Sequence, residues 1–101
     1  MIRFVYFYAM PGLVDAQYHT VKTDIATFHS VGVNFNDKSQ VIDIARQYWM
    51  DGEIDMIELC GGLANANMVS AVKEATDYQV AVGQVMYGPE FRRPLVDLLK
   101  L

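Results

Sequence analysis

The chain has 101 residues, 52% hydrophobic and 20% charged, with a net charge of −4, the size and composition of one folded domain over residues 1–101 rather than a disordered chain. Its eight Lys and Arg are scattered, Arg92-Arg93 being the only adjacent pair, so no cationic stripe is offered to a nucleic-acid backbone. No apolar run reaches the roughly 20 residues of a membrane span, and the single cysteine cannot form an internal disulfide, so the expected setting is cytoplasmic, with neither a nucleic-acid nor a membrane partner.

The first predicted element is a strand over residues 2–9. Arg3 followed by Phe4-Val5-Tyr6-Phe7-Tyr8-Ala9-Met10 has a faint signal-peptide look. The run is short, aromatic, and followed by no small-x-small cleavage site, so a buried strand is the better reading. Pro11-Gly12 then breaks the chain. Asp15 is placed to cap a short helix within residues 14–24, the least defined part of the pattern.

A second strand is expected over 27–34, alternating loosely. His29, Val31 and Val33 fall on one face, with Phe28, Ser30 and Gly32 on the other. Residues 38–51 read as a helix, because Val41, Ile44, Ala45, Tyr48 and Trp49 recur at helical spacing. Asp37 and Gln40 have capping-box spacing at its start, and Gly52 suits the left-handed residue that ends it. Tyr48 and Trp49 then belong to a core or subunit-interface stripe.

A third strand is expected over 54–60. It is followed by a helix over 65–76 with Met68, Ala71, Val72 and Ala75 on one face. The fourth strand, 80–87, is almost continuously apolar. Pro94 then fits the first turn of a terminal helix over 94–100 that buries Leu95, Leu98 and Leu99.

Strand starts at Ile2, Thr27, Ile54 and Val80 leave intervals long enough for helical crossovers between parallel strands. Four strand–helix units imply a small, mostly parallel four-stranded α/β sheet with packed helices. The preferred arrangement has order 2-1-3-4 and helices on both faces. A half-barrel is the second choice, and a ferredoxin-like fold follows if 14–24 is not helical. Six Tyr, five Phe, one Trp and six Met are a heavy load for so small an interior, which predicts a homo-oligomer through an aromatic interface.

Parallel α/β sheets bind ligands beyond the carboxyl ends of their strands. That edge collects Pro11, Gly12, Cys60, Gly61, Gly62, Tyr87 and Glu90. Cys60-Gly61-Gly62 leads from a strand towards a helix, so its backbone N–H groups can converge on an anion, and a nearby helix terminus can activate the Cys60 thiol. The bland alternative is a tight turn beside a small buried cysteine. Glu58 shares a strand face with Cys60. It is either a general acid/base or polar anchor, or a structural partner of Arg3 or a nearby loop. Asp55 is expected to be solvated at the opposite edge.

His19 can carry a proton in this setting, against the reading of an exposed helix histidine. His29 is expected to pack in the sheet. No zinc spacing appears, so no metal site is assigned, and the pattern specifies no cofactor. The leading function is binding of a small polar or anionic metabolite at the sheet edge. The alternatives are a small enzyme using Glu58, His19 and Cys60, or a structural or interaction module.

Ile57-Glu58-Leu59-Cys60-Gly61-Gly62 resembles the signature of a family of small bacterial proteins of unknown function. The resemblance extends along most of the chain through Pro11-Gly12, Asp15, His19, Val31-Gly32-Val33, Val82-Gly83, Tyr87-Gly88 and Glu90. The family pattern has Pro and Arg where Ala16 and Thr20 stand, and tends to an aromatic where Leu63 stands. The resemblance implies the same fold and the same edge, and no substrate.

Overall fold

Strand β1 (Ile2–Met10) is the centre of a five-stranded sheet of order β2-β3-β1-β4-β5. Its partners are β2 (Gln17–Lys22), β3 (Ala26–Asn34), β4 (Met56–Leu59) and β5 (Ala81–Gln84), with helices α1 (Ser39–Met50), α2 (Ala66–Ala75) and α3 (Arg92–Leu99). The computed structural model describes residues 1–86 and 92–99. Strands β3, β1, β4 and β5 are parallel, in the order expected for the four predicted strands. That order separates the sheet from a half-barrel, whose strands would lie in sequence.

The fifth strand is the main correction. Residues 17–22 form β2, antiparallel to β3 at the sheet edge, where a helix was expected. Tyr18, His19, Thr20 and Val21 are aromatic or β-branched residues that suit an extended backbone. The following turn is locally encoded. Thr23 Oγ1 accepts from the N–H groups of Ile25 (3.3 Å) and Ala26 (3.1 Å), and the Thr23 N–H donates to the Ala26 carbonyl at 2.9 Å. All six β2 residues are exposed, so no burial period was available to identify the element. Among the described strands only β2 is antiparallel, an arrangement unlike a ferredoxin-like sheet.

Helices α1 and α2 pack on the same face of the sheet. Val5, Phe7, Val31, Val33, Ile57 and Leu59 point there and form one buried cluster with Val41 and Ala45 of α1, Leu63, and Val72 of α2. Tyr48 and Trp49 pack at its margin. Helix α1 ends as predicted. Gly52 takes φ 68°, while its N–H and that of Glu53 donate to the Trp49 and Tyr48 carbonyls, both at 3.0 Å, satisfying two of the last carbonyls. Helix α2 ends the same way with Asp77 and Tyr78 at φ 52° and 59°. Leu98 of α3 is 76% exposed rather than buried. Among the described residues no helix is long and apolar enough to cross a membrane.

Asp55 is exposed at the opposite edge as expected, but it is paired, and it is Asp55 rather than Glu58 that takes Arg3. Asp55 accepts from Arg3 Nη2 at 3.1 Å, Arg3 Nε at 3.2 Å and the Arg3 N–H at 2.8 Å. Its own N–H donates to the Arg3 carbonyl at 2.7 Å. This latch starts the β1–β4 pairing.

The hydrogen bonds from the Arg3 side chain, then that from its backbone, hold the Asp55 carboxyl below its ordinary range. A carboxyl more acidic in the folded chain adds stability above the unfolded value of about 3.9, and the contribution disappears as pH falls through the folded value. Asp55→Asn is therefore expected to lower the thermal midpoint at pH 7 and to match the wild type near the acid limit. Circular-dichroism melts at both pH values test this; an equal deficit at both would show that the charge is irrelevant.

Candidate functional site

The sheet register brings together residues that lie far apart in the chain. On the face turned away from α1 and α2, His19 pairs with Ser30, Ser30 with Tyr6, Tyr6 with Glu58, and Glu58 with Gly83. These five positions form one row across all five strands. The neighbouring row, towards the amino ends of the parallel strands, is Val21, Phe28, Phe4, Met56 and Ala81. Phe4 and Phe28 are in ring contact with centroids 4.7 Å apart. Towards the carboxyl ends lie Gln17, Gly32 and Tyr8. The polar side chains of His19, Ser30, Tyr6 and Glu58 thus cross the face in a single file, with aromatic residues on either side.

Glu58 is the informative member. It is half-buried in the middle of β4, and among the described residues its carboxylate has neither an ion pair nor a hydrogen bond. Its neighbour on β5 is the exposed Gly83, where among the described residues nothing lies within 4 Å of the position a Cβ would take. Among those residues the carboxylate borders an open space. Tyr6 flanks it on the other side, its ring stacked near Tyr8 at 6.4 Å between centroids.

His19 sits on the same row and face, as an exposed strand residue rather than a helix residue. Three strand intervals of about 4.8 Å separate its backbone from that of Glu58, roughly 14 Å in all. The two cannot pass a proton directly, and Ser30 and Tyr6 stand between them.

Cys60 follows β4 and is half-buried. Its N–H donates to the Phe7 carbonyl at 2.9 Å, which carries the β1–β4 pairing one step past the strand. Gly61 and Gly62 form a turn closed by the Leu63 N–H on the Cys60 carbonyl at 2.9 Å, and this drives Leu63 into the core. The turn comes before Asn65, whose Oδ1 accepts the Met68 N–H at 2.8 Å as the cap of α2. The glycine amides are therefore outside the first turn of that helix, and the helix end is satisfied by its own side chain.

Pro11 and Gly12 lie at the carboxyl end of β1, in a turn closed from the Leu13 N–H to the Met10 carbonyl at 3.3 Å. Gly12 takes φ 85°, the conformation a type II turn demands of its third residue, with Pro11 suited to the second. Gln40 braces this edge instead of completing a capping box with Asp37. Its Oε1 accepts the Asn34 N–H at 3.0 Å and its Nε2 donates to the Val14 carbonyl at 3.3 Å, so α1, β3 and the loop after β1 are tied together. Lys38 is the N-cap residue, and no side chain caps α1 there. Tyr87 and Glu90 lie outside the described residues. Among those described, no three His, Cys, Asp or Glu side chains converge as a metal site.

Tyr6, Tyr8 and Ser30 are the site residues that sequence reading did not single out. The alternation of β1 carries the signal, since Arg3, Val5, Phe7 and Ala9 occupy one face and both tyrosines the other. Gly32 explains how Tyr8 lies. A Cβ at Gly32 would meet Tyr8 Cε2 at 2.7 Å, so the ring rests across the neighbouring strand where any side chain would displace it.

Gly32→Ala is expected to destabilise the protein by about 1–2 kcal/mol through overpacking. In a Tyr8→Ala background the same change should be neutral or slightly stabilising, because glycine weakens a strand interior. Denaturant unfolding of the four-member cycle measures the difference, and additive effects would rule out the ring contact as the cause.

The model of the family of unknown function DUF6506 matches residues 2–100. No curated protein and no solved structure matches the chain significantly. The chain belongs to the family of unknown function DUF6506.

Proposed function

We propose that this DUF6506 member binds a small polar molecule on the sheet face opposite α1 and α2, with a donor group of the ligand on Glu58. The observation that carries this reading is the half-buried Glu58 carboxylate, unpartnered among the described residues and bordered by the empty space over Gly83. Removing a carboxylate from water without a partner is unfavourable, and a ligand N–H or O–H supplies the missing hydrogen bond. Ser30 on the same row offers a further hydroxyl group, and Phe4, Phe28, Tyr6 and Tyr8 supply aromatic area on either side. This combination of aromatic walls and a few placed polar groups is typical of small-molecule sites.

The geometry favours binding over acid–base chemistry shared by Glu58 and His19, given the interval of about 14 Å between their backbones. It also favours a ligand that brings a donor, rather than an anion, to Glu58. The double-glycine turn follows Cys60, which packs against the core cluster, and it seats Leu63 in the core.

Two variants test the proposal. Glu58→Gln keeps the shape and removes the charge, and is expected to weaken binding by about tenfold or more, the scale of a charge-assisted hydrogen bond. Gly83→Val places a β-branched side chain where nothing stands within 4 Å; it should keep the fold and block the site. A panel of small amines, amino acids and polyols, screened by ligand-observed NMR and mapped on the amide spectrum, provides the ligand. Shifts centred on Tyr6, Ser30, Glu58 and Gly83, lost in both variants, are the expected result. Hits whose shifts centre on this face yet ignore both substitutions, or a panel with no hit on this face, would overturn the site.

A further inference from the structure

A different concavity lies on the helix-bearing side of the sheet. Strand β2 extends the sheet beyond β3, and α1 runs beside it without covering it. Tyr18 pairs with Val31 and so points to the helix side, where it is 55% exposed. Between it and α1 is a groove of about 330 Å³, lined by Tyr18, Asp43, Ile44, Gln47, Tyr48 and Asp51. The five helical residues stand at i, i+1, i+4, i+5 and i+8, a single stripe two turns long.

The middle of the groove is aromatic and aliphatic, and its base is fixed. The Tyr48 ring stacks on His29 at 4.9 Å between centroids, and His29 Nδ1 lies 2.9 Å from Thr20 Oγ1 on β2. Burial pushes the Tyr48 phenol up, and Tyr18 and Glu53 act in the same direction, so Tyr48 remains a neutral phenol over the working pH range.

The two ends of the groove are negative. Asp43 and Asp51 are separated by eight helical residues, about 12 Å at 1.5 Å per residue. The last turn of α1 contains no basic residue, so the negative end of the helix dipole is uncompensated where Asp51 stands. Asp51 Oδ1 accepts from Gln47 Nε2 at 3.0 Å, which leaves its other oxygen available. The cation beside Asp43 is Arg46, at 3.7 Å in a pair whose side chains are 50% and 78% exposed. Such a pair contributes little and gives way readily.

The geometry points to this groove as a site for an elongated organic dication of the linear diamine or polyamine class. Ammonium groups at the two ends meet Asp43 and Asp51, and the methylene chain lies over Ile44 and between the rings of Tyr18 and Tyr48. The tyrosine faces add cation–π attraction to the entering charge. A divalent metal does not fit, because the carboxylates stand two helical turns apart and cannot share one ion. An anion is repelled at both ends.

Calorimetric titration of the full chain with spermidine at low ionic strength is the test, with n-butylamine and magnesium as controls. One-to-one binding of spermidine is expected, at least tenfold tighter than either control. Asp43→Asn and Asp51→Asn should each weaken it by about tenfold, the scale of a lost charge-assisted contact. Tyr18→Ala should weaken it as well. Each substitution is on the surface, and circular dichroism confirms that the variants fold. Glu58→Gln should leave spermidine binding unchanged, which separates this groove from the opposite face. No saturable binding at millimolar spermidine would overturn the proposal. So would binding matched by magnesium, retained in the Asp43→Asn/Asp51→Asn double variant, or lost in Glu58→Gln.

Discussion

Both faces of this sheet take their character from how the chain travels between β1 and β3. Crossovers between parallel strands are right-handed. The path from β3 through α1 to β4, and from β4 through α2 to β5, advances in one direction across the sheet. Both helices consequently settle on the same side. The step from β1 to β3 runs the opposite way, and a helix in it would have packed on the other side. The chain instead lays that connection flat as β2, paired to the sheet edge. One connection made from strand rather than helix leaves α1 and α2 together and sets the aromatic row-and-wall face opposite them.

The same choice creates the groove beside α1. A fifth strand widens the sheet by about 4.8 Å past the helix layer, and Tyr18 stands on that overhang. The two candidate binding surfaces, one on each side of the sheet, thus share a structural origin in six residues that bury almost nothing themselves. Their chemistry differs. Glu58 is a single carboxylate among aromatic residues, whereas Asp43 and Asp51 bracket a hydrophobic stretch from its two ends.

The parallel strands and their order were legible because buried strands leave dense apolar runs, and intervals of helical length separate them. The edges of β4 and β5 were less so. Ile54 and Val80 are buried yet precede the paired residues, so hydrophobicity marked core contact rather than pairing. Strand β2 was illegible because an exposed edge strand has no burial period. Gln40 matched a capping pattern but found longer-range partners in Asn34 and Val14. Likewise Asp55, not Glu58, took Arg3. Glu58 and His19 stood out individually as polar residues in suspect places. That they share a row with Tyr6 and Ser30 is a property of register, which depends on pairing between distant segments and on a strand whose existence the pattern did not reveal.

The position of β1 has a consequence for the order in which the molecule can be assembled. It is made before every other strand of this sheet and is the central one, with both its hydrogen-bonding edges filled by strands made later. At synthesis rates of roughly 5–20 residues per second, Phe4, Tyr6, Phe7 and Tyr8 wait seconds for β3 and longer for β4. During that interval an aromatic, β-prone segment is a template for pairing with other nascent chains. The burden of keeping this protein soluble therefore falls on the translating cell before it falls on the finished fold.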